Sequence, residues 1–172
     1  MGSFNYRFNL EDYPVKLSHK FDENKLGDYL NGKLDSFSHI ESVGQFNAGQ
    51  SNPTFIIESN EGKRYVLRKK PPGKLLPSAH AVDREYRVQK ALYHTEVPVA
   101  KMYLFCEDES IVGTPFYIME YLEGRVFEDT TLPGISPRDR LAIYDSMNSA
   151  LAALHNVNPE EGIQNGGIDI LE

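Results

Sequence analysis

The chain has 172 residues, of which 40% are hydrophobic and 25% charged, with a formal charge of −7. That composition is ordinary for a globular domain and excludes collagen-like, coiled-coil and disordered classes, while the acidic balance argues against broad nucleic-acid binding, which needs a basic face to displace counterions. Cys106 is the only cysteine, so no intrachain disulfide forms and an intracellular, reducing compartment fits.

The first residues lack a basic segment followed by an apolar run, so no secretory signal is expected. Met1-Gly2 is followed by Tyr6 where N-myristoylation wants Ser or Thr. Residues 1–20 mix polar and aromatic types without a period and read as an N-terminal arm. Asp22 can cap a short helix to about Asn31, with Gly32 just past its end. Ser42 to Asn47 and Thr54 to Glu58 read as strands around a loop holding Gly49, Ser51, Asn52 and Pro53.

Ser59-Asn60-Glu61-Gly62 is a turn signal, and Arg64 to Lys69 is a third strand. Its alternation puts Tyr65 and Leu67 on one face and Val66 and Arg68 on the other. Pro71-Pro72-Gly73 ends the sheet, and Ser78 can cap a helix running to about His94. Met102 to Glu107 and Pro115 to Leu122 are two more strands, joined by an acidic loop at Asp108-Glu109. The longest uncharged apolar stretch, Ser110 to Met119, is too short to cross a bilayer.

Ser136-Pro137-Arg138-Asp139 is a strong helix start, with Ser136 as cap, Pro137 at the first position and Asp139 reciprocating. Leu141, Tyr144, Met147, Leu151 and Leu154 then step by three or four residues, so the helix is expected to pack that stripe on something. Beyond Pro159 the glycine- and asparagine-rich tail reads as a connection leading onward.

Several residues could carry chemistry. Gly49 permits close backbone approach, amides around Gln50 to Asn52 can point at phosphate oxygens, and Ser51 and Asn52 add side-chain donors. The plain alternative is a hairpin turn. Arg68 is an inward cation on a half-buried sheet, which calls for an anion; Glu85 is a carboxylate on the apolar face shared by Ala81, Val88 and Leu92. The alternatives are a surface ion pair for Arg68, and pairing of Glu85 with Arg84 or Gln89.

Phe116, Ile118 and Met119 are read as an apolar wall, and Glu120-Tyr121-Leu122 as a hinge offering backbone groups to a base edge, with Gly124 freeing the chain to turn. The cluster Arg68-Lys69-Lys70 with Lys74 is either a solvated loop or nucleotide-linked. His155 is read as a helix C-terminal cap, and His19, His39, His80 and His94 have no partners at metal-ligand spacing. A strand cation followed by a helix glutamate is the ion pair that positions ATP in kinase-type folds.

At these residues the sequence resembles the aminoglycoside phosphotransferase family, and within it the kinase-like domain of acyl-CoA dehydrogenase family members 10 and 11. The stretches carrying the resemblance are Ala48 to Phe55, Tyr65 to Pro77, Asp83-Arg84-Glu85, Phe116 to Glu120 and Ala152 to His155. The resemblance implies an α+β fold: a protein-kinase-like small lobe, with five antiparallel strands and one inserted helix, over 21–122. Residues 123–172 would then be the hinge and the start of a large lobe. It also implies ATP and Mg²⁺, with phosphoryl transfer to a small-molecule hydroxyl.

By that resemblance the nucleotide is held by Gly49, Gln50, Ser51, Asn52, Arg68, Glu85, Met119, Glu120, Tyr121 and Leu122. Arg68 stands where many relatives carry Lys, which keeps the charge and changes the geometry. The family's His-Gly-Asp segment, its following Asn and its later metal-binding Asp have no counterpart here. Asp129, Asp139, Asp145 and Asp169 lie in other settings. No catalytic or metal-binding residue is therefore assigned, and no turnover is expected of this chain alone.

A large lobe and an acyl-CoA dehydrogenase domain are implied partners in a longer parent, with a mitochondrial or peroxisomal setting. Two other readings stand beside this one. The first is a non-catalytic nucleotide- or partner-binding module. The second is a fragment whose α-helical apolar stripe is left exposed.

Overall fold

The computed structural model describes residues 10, 13–46, 52–73, 80–127 and 129–158. Gly49, Gln50, Ser51, Lys74, Ser78 and the tail beyond Pro159 lie outside the described residues. The chain divides into two compact units, one reaching to Tyr86 and including Tyr103–Tyr121, the other made of Arg87–Met102 and the residues from Leu122 on.

The first unit is built on a five-stranded sheet. Its strands are β1 (Ile40–Gln45), β2 (Thr54–Ser59), β3 (Arg64–Lys69), β4 (Met102–Cys106) and β5 (Phe116–Glu120), in the order β1-β2-β3-β5-β4. β1, β2 and β3 form the expected antiparallel meander, and β5 pairs antiparallel with β3, leaving β4 at the edge. The turn between β2 and β3 closes as its sequence demands: Ser59 accepts from the Gly62 amide at 2.8 Å, and Gly62 takes a φ of 76°. β1 begins two residues earlier than the pattern suggests and carries a bulge between Ile40 and Ser42.

Strand alternation gives this sheet two different faces. On one, Phe55, Ile57, Tyr65, Leu67, Phe116 and Ile118 join Leu26 and Leu30 of α1 (Glu23–Leu30) in the main core. Asp22 caps α1 by accepting from the Lys25 amide at 3.1 Å, as expected. Burial of such large side chains contributes roughly 1.5–3 kcal/mol each before the entropy of ordering is counted. On the other face lie Gly44, Ile56, Val66 and Met119, paired in one row across four strands.

Gly44 is small for a packing reason. A methyl group there would sit 2.7 Å from Leu10 Cδ2, 3.1 Å from Tyr13 Cβ and 3.2 Å from Ile56 Cγ2. The arm is tied down beside it, with the Gln45 amide donating to the Tyr13 carbonyl at 2.8 Å. Gly44→Ala is expected to cost about 1–3 kcal/mol by overpacking. A urea midpoint equal to wild type would show that the arm simply moves aside.

The basic cluster is taken apart by the same alternation. Arg68 and Lys69 point to opposite faces, and Lys69 is only 4% exposed on the core side. Its Nζ donates to the Val112 carbonyl at 2.7 Å and lies 5.4 Å from the centroid of the Phe21 ring. Burial lowers its pKa from the ordinary 10.5. The unfolded chain therefore binds more protons between the lowered value and 10.5, so stability rises with pH across that window and falls as pH drops through it. Lys69→Met is expected to remove this slope, measured as the wild-type-minus-variant difference in unfolding free energy against pH. A difference that stays flat would show a fully solvated ammonium.

α2 (Val82–Leu92) starts four residues after the proposed Ser78 cap, because His80 at a φ of 61° interrupts any helix before it. A one-turn helix, α3 (Glu109–Val112), replaces the acidic loop between β4 and β5. It is capped by Asp108 and stopped by Gly113 at a φ of 87°. In the second unit, α4 (Pro137–His155) begins as its sequence predicts, with Ser136 Oγ accepting from the Asp139 amide at 3.1 Å. Asp139 returns the contact through the Ser136 hydroxyl at 2.9 Å rather than through the backbone.

The packing expectation for α4 does not hold. Leu141, Tyr144, Met147, Leu151 and Leu154 are 45% to 63% exposed, and no residue of α4 is buried. The apolar stripe is present and uncovered. Gly124 likewise needs no special freedom: it has neither a positive φ nor anything within 4 Å of a would-be Cβ.

Candidate functional site

The second face of the sheet carries the polar groups. Register pairs Thr54 with Arg68 and Arg68 with Tyr117, so β2, β3 and β5 present the three side chains in one row on one face. The apolar row Ile56, Val66 and Met119 lies two residues along on the same face. α2 brings Glu85 to the polar row. Val82, Glu85 and Tyr86, at helical spacing, form the side of α2 turned to this unit: Val82 is buried, and Tyr86 stacks on Phe105 with centroids 5.6 Å apart.

Glu85 is where the row converges. Its Oε2 accepts from Arg68 Nε at 2.9 Å and from the Tyr117 hydroxyl at 3.0 Å. Its Oε1 accepts from Asn52 Nδ2 at 2.9 Å. Arg68 in turn donates from Nη1 to Thr54 Oγ1 at 3.0 Å. The cation and the carboxylate thus meet as the sequence suggested, and the Arg84 alternative for Glu85 is replaced by this contact.

The ion pair is half-buried, with Arg68 28% and Glu85 34% exposed at the side chain. Its Coulomb energy alone is modest in such a setting. What it fixes is direction. A guanidinium presents five N–H donors in a planar fork. Two are used on Glu85 and Thr54, so three remain unspent among the described residues. A cation clamped from one side, with donors left over, is equipped to hold a phosphate or carboxylate.

Three expectations need correction. Asn52 is 4% exposed and its amide nitrogen is committed to Glu85, so its side chain is a framework group rather than a donor held out to a ligand. Phe116 and Ile118 belong to the core face, so of the proposed apolar wall only Met119 lies on the site face, beside Tyr117. In the helix stripe Ala81, Glu85, Val88 and Leu92, Glu85 faces the sheet as expected, but Ala81 precedes the helix and Val82 is the buried anchor.

Of the hinge residues, Glu120 makes the last β3–β5 pair, with Tyr65; Tyr121 follows it, and Leu122 is exposed. Thr54, Tyr117 and His80, which reaches Asn52 Oδ1 through Nδ1 at 2.9 Å, were not singled out from sequence as site residues. Tyr117 gave no signal of its own in an apolar strand; its pairing with Arg68 is what sets its polar tip on that face.

The description of the phosphotransferase enzyme family matches residues 42–168, most of the chain and all of this site. This chain belongs to the phosphotransferase enzyme family. It is 49% identical to human acyl-CoA dehydrogenase family member 11 over 144 residues, which are 81% of this chain and 18% of that protein. It is 47% identical to mouse acyl-CoA dehydrogenase family member 10 over 147 residues, 84% of this chain and 14% of that protein. The chain therefore spans under a fifth of the length of these relatives.

A crystal structure from Ralstonia eutropha, which carries the name aminoglycoside phosphotransferase, superposes with a TM-score of 0.69 at 48% identity. The match covers 83% of this chain and 40% of that one. The α+β, kinase-like fold expected of this phosphotransferase-family chain is the fold it has. Among the described residues no helix is long and apolar enough to cross a membrane. No group of three or more His, Cys, Asp or Glu residues there could hold a metal ion.

Proposed function

We propose that this chain is the ATP-holding part of a phosphotransferase that moves the γ-phosphoryl group to a small-molecule hydroxyl. The observation that carries the reading is Arg68, clamped by Glu85 at 2.9 Å with donors to spare, on the strand face next to the residues that precede β2. The phosphates would meet Arg68 and the backbone amides of Gly49, Gln50, Ser51 and Asn52. The adenine would lie against Val66 and Met119, with its edge on the backbone of Glu120, Tyr121 and Leu122. That arrangement supplies positioning and charge neutralisation, which is most of what phosphoryl transfer asks of a protein.

Mg²⁺ comes to this proposal with the nucleotide. The described residues offer no acidic cluster that fits it, so no step is drawn through the metal. The sequence also holds no counterpart of the family's His-Gly-Asp segment, and ATP consumption by this chain alone is expected to equal a buffer blank.

The test is a thermal shift. A ligand that binds only the folded state raises stability by RT ln(1 + [L]/Kd), about 2.7 kcal/mol at a hundred times Kd. MgATP at millimolar concentration should raise the melting temperature above that with Mg²⁺ alone. No rise would end the nucleotide reading. A second reading, a partner-binding module, is favoured by the uncovered stripe Leu141, Tyr144, Met147, Leu151 and Leu154. In the proposed parent this stripe would seat the rest of the large lobe.

A further inference from the structure

We propose that His80 is a positioning residue of this site, which holds Asn52 through an Nδ1–H donor and so fixes Glu85 and Arg68. The inference deepens the nucleotide reading and rests on it for its functional consequence. Its structural core stands independently, on the donor and acceptor bookkeeping of one buried amide.

Asn52 is 4% exposed, and both ends of its side chain are engaged. One end is 2.9 Å from Glu85 Oε1. An ionised carboxylate only accepts. Glu85 already receives the Arg68 guanidinium and the Tyr117 hydroxyl on its other oxygen. The amide end facing Glu85 must then be the NH₂ group, because the flipped amide would set a carbonyl oxygen against a carboxylate oxygen. The carbonyl end consequently faces His80 Nδ1, at 2.9 Å. A carbonyl can only accept, so Nδ1 must carry the proton. Glu85 thus fixes the amide, and the amide fixes the imidazole tautomer, leaving Nε2 as the acceptor of the neutral ring.

The backbone supports the same role. His80 is held at a φ of 61°, a left-handed conformation that few non-glycine residues adopt, and its carbonyl accepts from the Val82 amide at 2.9 Å just before α2 begins. Asn52 is therefore gripped from both sides by one stretch of chain: His80 ahead of α2, and Glu85 one turn inside it. Losing the His80 contact frees the amide to rotate, and a rotated amide withdraws a donor from Glu85.

The first arm of the test is spectroscopic. A long-range ¹H–¹⁵N correlation spectrum of the chain, at about pH 8 where an ordinary imidazole is neutral, should show His80 in the Nδ1–H form. The Nε2–H form would overturn the proposal whatever the nucleotide does. The second arm uses His80→Asn, His80→Asp and His80→Gly, all of which accommodate a positive φ. His80→Asn places an amide NH₂ where Nδ1 stands and should keep MgATP affinity within about twofold. His80→Asp offers an acceptor there and His80→Gly offers nothing, so both should lose roughly tenfold, the scale of one buried hydrogen bond.

Equal affinity in all three variants would reject the positioning role. If wild type fails to bind MgATP, the nucleotide reading falls. The tautomer then decides His80, together with the melting order, in which His80→Asn must exceed both His80→Asp and His80→Gly.

Discussion

Glu85→Ala is expected to destabilise the first unit by about 2–4 kcal/mol, chiefly through neutral donors rather than through the lost ion pair. The arithmetic decides which effect wins. Arg68 is 28% exposed, so water can resolvate much of its charge, and a partly exposed pair is worth about 1 kcal/mol or less. The Tyr117 hydroxyl and the Asn52 amide sit on residues 1% and 4% exposed, and each loses its Glu85 acceptor in the variant. Stranding a buried donor costs about 1–3 kcal/mol.

The double variant Glu85→Ala, Tyr117→Phe should be less destabilised than the two single effects added together, because each single change loses the same hydroxyl–carboxylate hydrogen bond. Urea unfolding of the four proteins measures this. A Glu85→Ala loss below about 0.5 kcal/mol, or strict additivity, would mean that these donors are satisfied without Glu85.

Arg68→Lys is expected to do the opposite: little change in stability and about a tenfold loss of MgATP affinity, equivalent to about 1.4 kcal/mol. The guanidinium reaches Glu85 through Nε and Thr54 through Nη1 at the same time, at 2.9 and 3.0 Å. A single ammonium cannot span those two acceptors and still present a fixed fork to a phosphate. Titration calorimetry on wild type and variant gives the ratio. Wild-type affinity in Arg68→Lys would show that charge alone suffices and that the clamp geometry has no part in binding. Those two outcomes together would assign Glu85 to the framework and Arg68 to the ligand.

The pairing of Arg68 with Glu85 was legible because each residue broke its local pattern: a cation inside a strand, and an acid on the apolar side of a helix. Either anomaly is costly unless the other answers it. Tyr117 and Thr54 broke no pattern. A tyrosine in an apolar strand reads as core, and a threonine at a strand start is unremarkable. Their role comes from register, which sets residues from three strands side by side.

Phe116 and Ile118 were placed on the wrong side for a related reason. β5 is buried on both faces, so its sequence has no polar alternation to reveal the phase. His80 gave no signal at all, since its one site contact crosses 28 residues of chain.

The sequence by itself determined the elements and their caps: the meander, the turn at Gly62, the Asp22 and Ser136 helix starts, and the stripe on α4. These depend on periods and hydrogen bonds spanning a few neighbouring residues, which any reader of the chain can count. Only the tertiary structure decided that β5 lies beside β3, that Lys69 turns into the core while Arg68 turns to Glu85, and that the α4 stripe stays uncovered. Those outcomes depend on which distant segments meet, and a side chain carries no local mark of its partner across the sheet.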